Sequence, residues 1–155
     1  MNNPALIIVA MALGIAITAR PFAAEIVDYR EIIRDAPVAA ISDVQAEEYG
    51  VPASARWRRL VNVDIELFLD EPDGVQRLFS PLPDLTYFLR HRGHEDYGPA
   101  TAWNGEMVDA SGATVGYISV IASSEGYLRL QANDVERTFM VVSIPDRAIQ
   151  VLYER

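Results

Sequence analysis

The chain has 155 residues, a formal net charge of -9 and no cysteine. This length favours a single domain, and the missing cysteine excludes a disulfide framework, a thiolate zinc site and a cysteine nucleophile. The negative charge repels phosphate backbones and anionic lipid headgroups, so we expect no nucleic-acid partner.

Residues 1–24 are interpreted as a leader, because residues 4–19 form an uncharged apolar run of sixteen positions. The run is short for a bilayer-spanning helix, which needs about 20 apolar residues, and fits the apolar part of a signal peptide. Cleavage after Ala24 is one alternative, although no Lys or Arg precedes the run and Phe22 is bulky for such a site. An uncleaved inner-membrane anchor is the other. Both predict a periplasmic or secreted domain whose only membrane contact is the leader.

Residues 25–55 are predicted to form a short helix and a connecting arm. Four apolar residues recur at helical spacing after the leader: Ile26, Tyr29, Ile32 and Ile33. This spacing predicts an amphipathic helix from Glu25 to Asp35, ended by Pro37. Residues 36–55 include Gly50 and Pro52 and have no sustained period, which is typical of a connecting segment.

Residues 56–155 are predicted to form an antiparallel β-domain. Apolar and polar residues alternate from Trp57 to Leu69, which makes this segment the clearest predicted strand. Proline and glycine in the segment Glu71 to Gly74 then predict a turn. Three segments follow: a return strand (Val75 to Ser80), a weakly alternating strand (Leu85 to Arg90) and a polar loop (His91 to Pro99).

A regular series of strands completes the domain. The predicted strands are Thr101 to Val108, Val115 to Ala122, Tyr127 to Ala132, Arg137 to Ile144 and Ala148 to Tyr153. Turn residues separate them at the spacing typical of an antiparallel sandwich or barrel. We therefore predict a mainly β fold with one short N-terminal helix. The predicted core comprises Val63, Ile65, Leu67, Ile118, Val120, Met140 and Val142.

No cluster of residues in the sequence indicates catalysis. His91, His94, Glu95 and Asp96 lie close together in the predicted loop, and histidine with carboxylate can bind zinc. Their order is not that of a zinc peptidase helix, and Gly93 breaks any helix that would fix their geometry, so a solvated loop is favoured over a metal site. Two nearby carboxylates, Asp64 and Glu66, share the polar face of a predicted strand, where both stay ionised. We expect neither an enzyme nor a cofactor.

The segment from Arg56 to Tyr153 resembles the N-terminal prodomain of secreted bacterial reprolysin-type (adamalysin-like) zinc metalloproteases. The alternating strand Arg56 to Asp64 resembles the first strand of that family. Trp103, Asn104 and Gly105 resemble its tryptophan–x–glycine strand opener, and Glu136 to Ile144 resembles a later strand. The protease domain, its zinc motif and the cysteine that caps the zinc in many such prodomains are absent. The resemblance implies a prodomain-like module that stands alone.

Two functional hypotheses follow. The first is an exported, non-catalytic module that binds a zinc metalloprotease as chaperone or inhibitor. The second is a membrane-anchored accessory subunit of a larger envelope complex. Recognition residues concentrate on loops held by a rigid scaffold, which selects as possible partner-binding residues His91, His94, Tyr97, Trp103 and Asn104.

Overall fold

The computed structural model describes residues 27–36, 41–70, 75–144 and 147–155. Within these ranges the chain forms ten strands and two short helices. The strands are β1 (Asp28–Glu31), β2 (Ile33–Asp35), β3 (Trp57–Val63), β4 (Val75–Leu82), β5 (Leu85–Asp96), β6 (Ala100–Val108), β7 (Thr114–Ser123), β8 (Leu128–Asp134), β9 (Thr138–Ser143) and β10 (Gln150–Glu154). The helices are α1 (Asp43–Glu48) and α2 (Glu66–Leu69). All strands belong to one sheet in the order β1-β4-β5-β6-β7-β8-β9-β10-β3-β2, which confirms the predicted mainly β fold.

The two ends of this sheet meet in one short segment of chain. β1 pairs with β4 in parallel, whereas β2 pairs with β3 in antiparallel orientation. Ile32 lies between β1 and β2; its N–H donates to the Leu78 carbonyl at 2.9 Å, and its carbonyl accepts from the Asp64 N–H at 3.0 Å. The segment from Asp28 to Asp35 therefore joins β4 to β3. It completes a nearly closed barrel of the kind predicted from the sequence.

Side chains fill the interior of the barrel. Inward and outward residues alternate along each strand, and the largest fully buried inward side chains are Trp103, Phe79, Phe139 and Met107. α2 follows β3 at one end of the barrel and adds two more apolar side chains, Leu67 and Phe68. The ring of Phe68 is fully buried and packs edge-on against Trp103, with ring centroids 5.4 Å apart. This end of the barrel is therefore closed by α2.

A second apolar cluster lies outside the barrel, under α1. Ser42 caps this helix, since its hydroxyl accepts a hydrogen bond from the Gln45 N–H and the Gln45 side chain accepts one from the Ser42 N–H. Ala46 and the following Val51 then pack on outward residues of β3, β9 and β10, which are Leu60, Met140, Val151 and Tyr153. One outer face of the barrel is therefore covered by the chain itself.

The helix predicted from Glu25 to Asp35 is wrong wherever the structure describes it. Residues 28–31 and 33–35 are strands, while Glu25 and the leader lie outside the described residues. The break in pairing at Ile32 lets both Ile32 and Ile33 reach the interior, at 0% and 5% exposure. A continuous strand would bury only one of two adjacent residues, so the same pair of isoleucines suits a helix or an interrupted strand. The short helix α1 occurs instead in the predicted connecting arm.

The strand predicted from Trp57 to Leu69 ends at Val63, because α2 follows. Of the predicted core, four residues are buried: Leu67, Ile118, Val120 and Met140. The other three are only partly buried: Val63, Ile65 and Val142. The five strands predicted between residues 101 and 153 are confirmed to within two residues at each end. The predicted turn from Glu71 to Gly74 lies outside the described residues.

Candidate binding surface

The polar loop predicted from His91 to Pro99 is wrong. β5 continues to Asp96, so that only residues 97–99 form the turn into β6. β5 pairs with β6 along this whole stretch, with a change of register between His91 and Gly93. The exposed, polar composition of the stretch predicted a loop, but residues 91–96 extend β5 beyond its pairing with β4, and a strand that is paired on one side only has that composition as well. Four of the five predicted binding residues therefore lie on β5 and β6, and Tyr97 lies in the turn between them.

Three of the predicted binding residues form a stack on the inner side of β5 and β6. The His91 ring lies between the rings of His94 and Trp103, with centroid distances of 5.6 and 5.4 Å. Trp103 is fully buried, and the guanidinium of Arg77 lies 5.4 Å from its ring centroid. Trp103 is accordingly a core residue, whereas the two histidines are exposed at the end of the stack.

The other two predicted binding residues lie elsewhere. Tyr97 occupies the turn after β5, is 62% exposed, and donates its hydroxyl to the Glu95 carboxylate. That hydrogen bond, followed by the charge of Glu95, raises the pKa of Tyr97 above its usual value. Asn104 points to the outer face of the barrel, opposite Ser119 on β7. The structure therefore separates the five residues into an inner stack, a turn and an outer face.

Asn104 belongs to a surface that the sequence did not single out. We call it the β6–β8 outer face, and it comprises Asn104, Glu106, Tyr117, Ser119, Ile121, Arg129, Gln131 and Asn133, with Arg129 opposite Ile121 at its edge. In the register of the sheet, Asn104 lies opposite Ser119, which in turn lies opposite Gln131. A shallow groove of about 470 Å³ runs over these residues and beside Tyr117. The centre of this surface is therefore polar but uncharged.

Two large side chains of β7 project from this outer face into solvent. Tyr117 is 65% exposed and Ile121 is 42% exposed. The alternate residues Ile118 and Val120 are buried inside the barrel. Both faces of β7 therefore carry apolar or aromatic side chains, although only the inner one is covered. The nearly unbroken apolar run from Val115 to Ala122 was the available sequence signal, because a strand with one solvated face normally alternates.

Glu106 offsets part of the positive charge at the edge of this surface. Its carboxylate accepts hydrogen bonds from Arg90 at 3.1 Å, Arg92 at 2.5 Å and Thr114 at 3.4 Å. The hydrogen bond from Arg92 is the main reason that the pKa of Glu106 lies below its usual value, and it outweighs the opposing effect of burial. The carboxylate thus stays ionised and both guanidinium groups keep a partner. With two guanidinium groups and one carboxylate, this rim of the groove keeps a net positive charge.

The basic cluster Arg56 to Arg59 does not form a comparable surface. Arg56 pairs with Glu154, Arg58 with Asp43 and Arg59 with Asp35. These partners lie in three different elements, so the arginines are held apart. Each positive charge is already matched by a carboxylate of the chain.

Among residues 27–36, 41–70, 75–144 and 147–155, no three or more His, Asp or Glu side chains converge as a metal site would need. Asp64 and Glu66, predicted to share a strand face, lie after β3 and on α2. No helix in the same ranges has the length and apolar character to cross a bilayer.

Comparisons of the chain with protein-family models, with curated proteins and with solved structures found no match.

Proposed function

We propose that this chain is an exported, non-catalytic protein-binding module that uses the β6–β8 outer face. The observation that carries the proposal is the exposure of Tyr117 and Ile121 on one strand, beside the uncharged side chains of Asn104, Ser119 and Gln131. Tyrosine is enriched among the residues that contribute most to protein–protein binding, and charged residues are depleted at the centre of such interfaces. The face combines both properties.

The rest of the barrel supports the same choice of surface. The interior is filled by large side chains such as Trp103 and Phe139, so binding has to use the outside. The outer face of β3, β9 and β10 is already covered by α1. The arginines at one end of β3 are engaged in ion pairs. The β6–β8 outer face is a broad sheet surface without such cover among the described residues.

The resemblance to metalloprotease prodomains makes a zinc metalloprotease the first candidate partner, with the module acting as chaperone or inhibitor. A membrane-anchored accessory subunit of an envelope complex is the second candidate. It is favoured by one observation, namely that β1 starts at Asp28, only four positions after the last residue of the predicted leader. An uncleaved leader would then hold the domain near the membrane.

Site-specific photo-crosslinking tests the proposal and distinguishes the candidates. A photoreactive phenylalanine analogue replaces Tyr117 in the full chain, expressed in the native host. The matched control carries it at Val44 on α1, because the two positions are similarly exposed, at 65% and 67%, on different faces. We expect a discrete adduct from position 117 only. A zinc metalloprotease in that adduct supports the first candidate, and an integral membrane assembly supports the second. Equal labelling from both positions, or none from position 117, contradicts the proposal.

A further inference from the structure

Arg129 is an exposed arginine on β8, at the edge of the β6–β8 outer face. The arginines of β3 and of β5 all lie within salt-bridge distance of an Asp or Glu side chain. Among residues 27–36, 41–70, 75–144 and 147–155, no Asp or Glu lies that close to Arg129. The protein as a whole carries a formal net charge of -9. Arg129 is therefore a local positive charge on an acidic molecule.

Arg129 lies where the outer face passes into a second groove. In the register of the sheet it is opposite Ile121 on β7 and Val142 on β9. From there a groove of about 300 Å³ extends over β8 and β9 as far as Tyr49, the residue that follows α1. Tyr127, which is 51% exposed, lines the same groove. We call it the Arg129 groove, because Arg129 is the one charged residue among the described residues that line it.

The lining selects the chemistry that the Arg129 groove can hold. A guanidinium presents its N–H donors in a planar fork that matches a carboxylate, and the hydroxyls of Tyr49 and Tyr127 can donate to the same oxygens. One negative charge balances Arg129, whereas a doubly charged phosphate would leave an excess. Glu125, which lines the adjoining groove together with Tyr127, would add to that repulsion. The groove therefore suits a single carboxylate.

We propose that the Arg129 groove binds an aspartate or glutamate side chain of the protein that covers the β6–β8 outer face. This inference rests on the proposed function and names the chemistry that the partner presents. The two surfaces are continuous, since Ile121 belongs to the outer face and lies directly opposite Arg129. The partner extends from Tyr117 past Ile121 toward Tyr127, with its carboxylate on the Arg129 guanidinium.

Arg129 then helps to determine which protein binds. The net charge of the molecule repels acidic surfaces elsewhere, so a favourable pair at one place fixes the position of the partner on the face. Arginine and tyrosine are also enriched among the residues that contribute most to binding. A partner with an apolar residue at this place would cover the guanidinium without pairing it, which is unfavourable. Arg129 is therefore a specificity-determining residue of the proposed interface.

Crosslinking in the native host tests this inference. The full chain carries the photoreactive phenylalanine analogue at position 117, and Arg129→Gln removes the charge while keeping a polar side chain. The matched control is Arg34→Gln, because Arg34 is likewise exposed on a strand, with no Asp or Glu within salt-bridge distance among the described residues. Arg129→Lys keeps the charge without the planar fork. The adduct is measured relative to the amount of each chain, at expression levels low enough that its yield follows affinity.

We expect the adduct from position 117 to fall at least about fivefold with Arg129→Gln, to fall less with Arg129→Lys and to stay unchanged with Arg34→Gln. With the analogue at position 127 instead, the same protein should be crosslinked, at a peptide that contains Asp or Glu. Circular dichroism of the purified variants checks that they are folded.

Two results overturn the inference while the proposed function stands. One is an adduct from position 117 that Arg129→Gln leaves unchanged, and the other is capture of a different protein, or of none, from position 127. If position 117 yields no adduct in the chain with Arg129 intact, the proposed function fails and this inference fails with it. The two failures are therefore distinguishable.

Discussion

The carboxylate of Glu31 binds Ser80 through two hydrogen bonds. It accepts a hydrogen bond from the Ser80 N–H at 3.0 Å and another from the Ser80 hydroxyl at 2.6 Å. Glu31 is the last residue of β1, and Ser80 lies on β4. One side chain thus fastens β1 to β4 just before the chain crosses at Ile32 to pair with β3. The closure of the barrel depends on this short segment.

Glu31→Gln should weaken that closure. The amide keeps one acceptor oxygen and loses the negative charge, and hydrogen bonds to charged groups contribute about 1.5–3 kcal/mol each. We expect the free energy of unfolding to fall by about 1–2 kcal/mol, measured by urea denaturation. The control is Glu125→Gln in the exposed turn after β7, which should stay within about 0.5 kcal/mol of the unsubstituted protein. Equal effects of the two substitutions contradict the role assigned to Glu31.

Gly105 is required by the position of Trp103. A Cβ atom at Gly105 would lie 2.5 Å from Cη2 of Trp103 and 2.8 Å from the Arg90 carbonyl oxygen. Gly105→Ala must therefore displace a fully buried ring, and overpacking of a core typically costs about 1–3 kcal/mol. Gly93→Ala is the matched control, since a Cβ there meets no atom within 4 Å. Thermal unfolding should show a markedly lower melting temperature for Gly105→Ala and no such decrease for Gly93→Ala. If both variants unfold at the same temperature, the close packing of Gly105 against Trp103 is contradicted.

Phe68→Ala distinguishes the observed helix α2 from the strand predicted there. In the helix, Phe68 is fully buried against Trp103, whereas Leu69 is only partly buried. In a continued strand their faces would be reversed. Truncation of a buried phenylalanine costs about 3–5 kcal/mol, so Phe68→Ala should destabilise the protein more than Leu69→Ala. The opposite order in urea denaturation would favour the strand.

Tyr87 and Asp134 should make stability depend on pH. The Tyr87 hydroxyl donates to Asp134 at 2.5 Å, and the N–H groups of Glu136 and Arg137 donate to the same carboxylate. Burial alone raises the pKa of Asp134, but these hydrogen bonds outweigh it and the pKa lies below 3.8. The folded state therefore favours the ionised carboxylate. Its contribution to stability is present above the unfolded pKa of about 4 and is lost as the pH falls from there through the depressed pKa.

We expect the stability difference between the unsubstituted protein and Asp134→Asn to be largest near neutral pH. It should shrink as the pH falls through the acid range. Burial, then the hydrogen bond to Asp134, raises the pKa of Tyr87. For that phenol, the contribution to stability is complete below pH about 10 and is lost as the pH rises further. The midpoint of urea unfolding, measured across pH, checks both the loss of stability at low pH and the loss at high pH. A difference for Asp134→Asn that does not vary with pH contradicts the linkage.

The strands of the barrel were predictable where local pattern and tertiary environment agree. From Thr101 to Tyr153 each strand is a short alternating or apolar run bounded by turn residues, so short-range information is sufficient. The segment from Asp28 to Asp35 is different, because its state is decided by two unpaired sheet edges contributed by distant β3 and β4. The residues of this segment give no indication that it pairs with β3 and β4. Tertiary pairing overrides the helical spacing.

The candidate surface was predicted only in part, for a related reason. Asn104 was selected from sequence, and it does lie on the β6–β8 outer face. Tyr117 and Ile121 were missed because their neighbours Ile118 and Val120 are equally apolar, so the sequence does not say which face of β7 is covered. Trp103 was selected as a possible contact and is fully buried. Whether an apolar strand face is inside depends on closure of the barrel, which is a long-range property.

The most direct test of the central claim is the affinity of the full chain for the protein crosslinked from position 117. Titrations compare the unsubstituted chain with Tyr117→Ala and with Val44→Ala, which removes an equally exposed side chain on α1. An interface centred on Tyr117 predicts at least about a tenfold increase in Kd for Tyr117→Ala, equivalent to about 1.4 kcal/mol. Val44→Ala should leave the Kd unchanged. An unchanged Kd for Tyr117→Ala, with its folding intact by circular dichroism, would contradict the claim that the β6–β8 outer face is the binding surface.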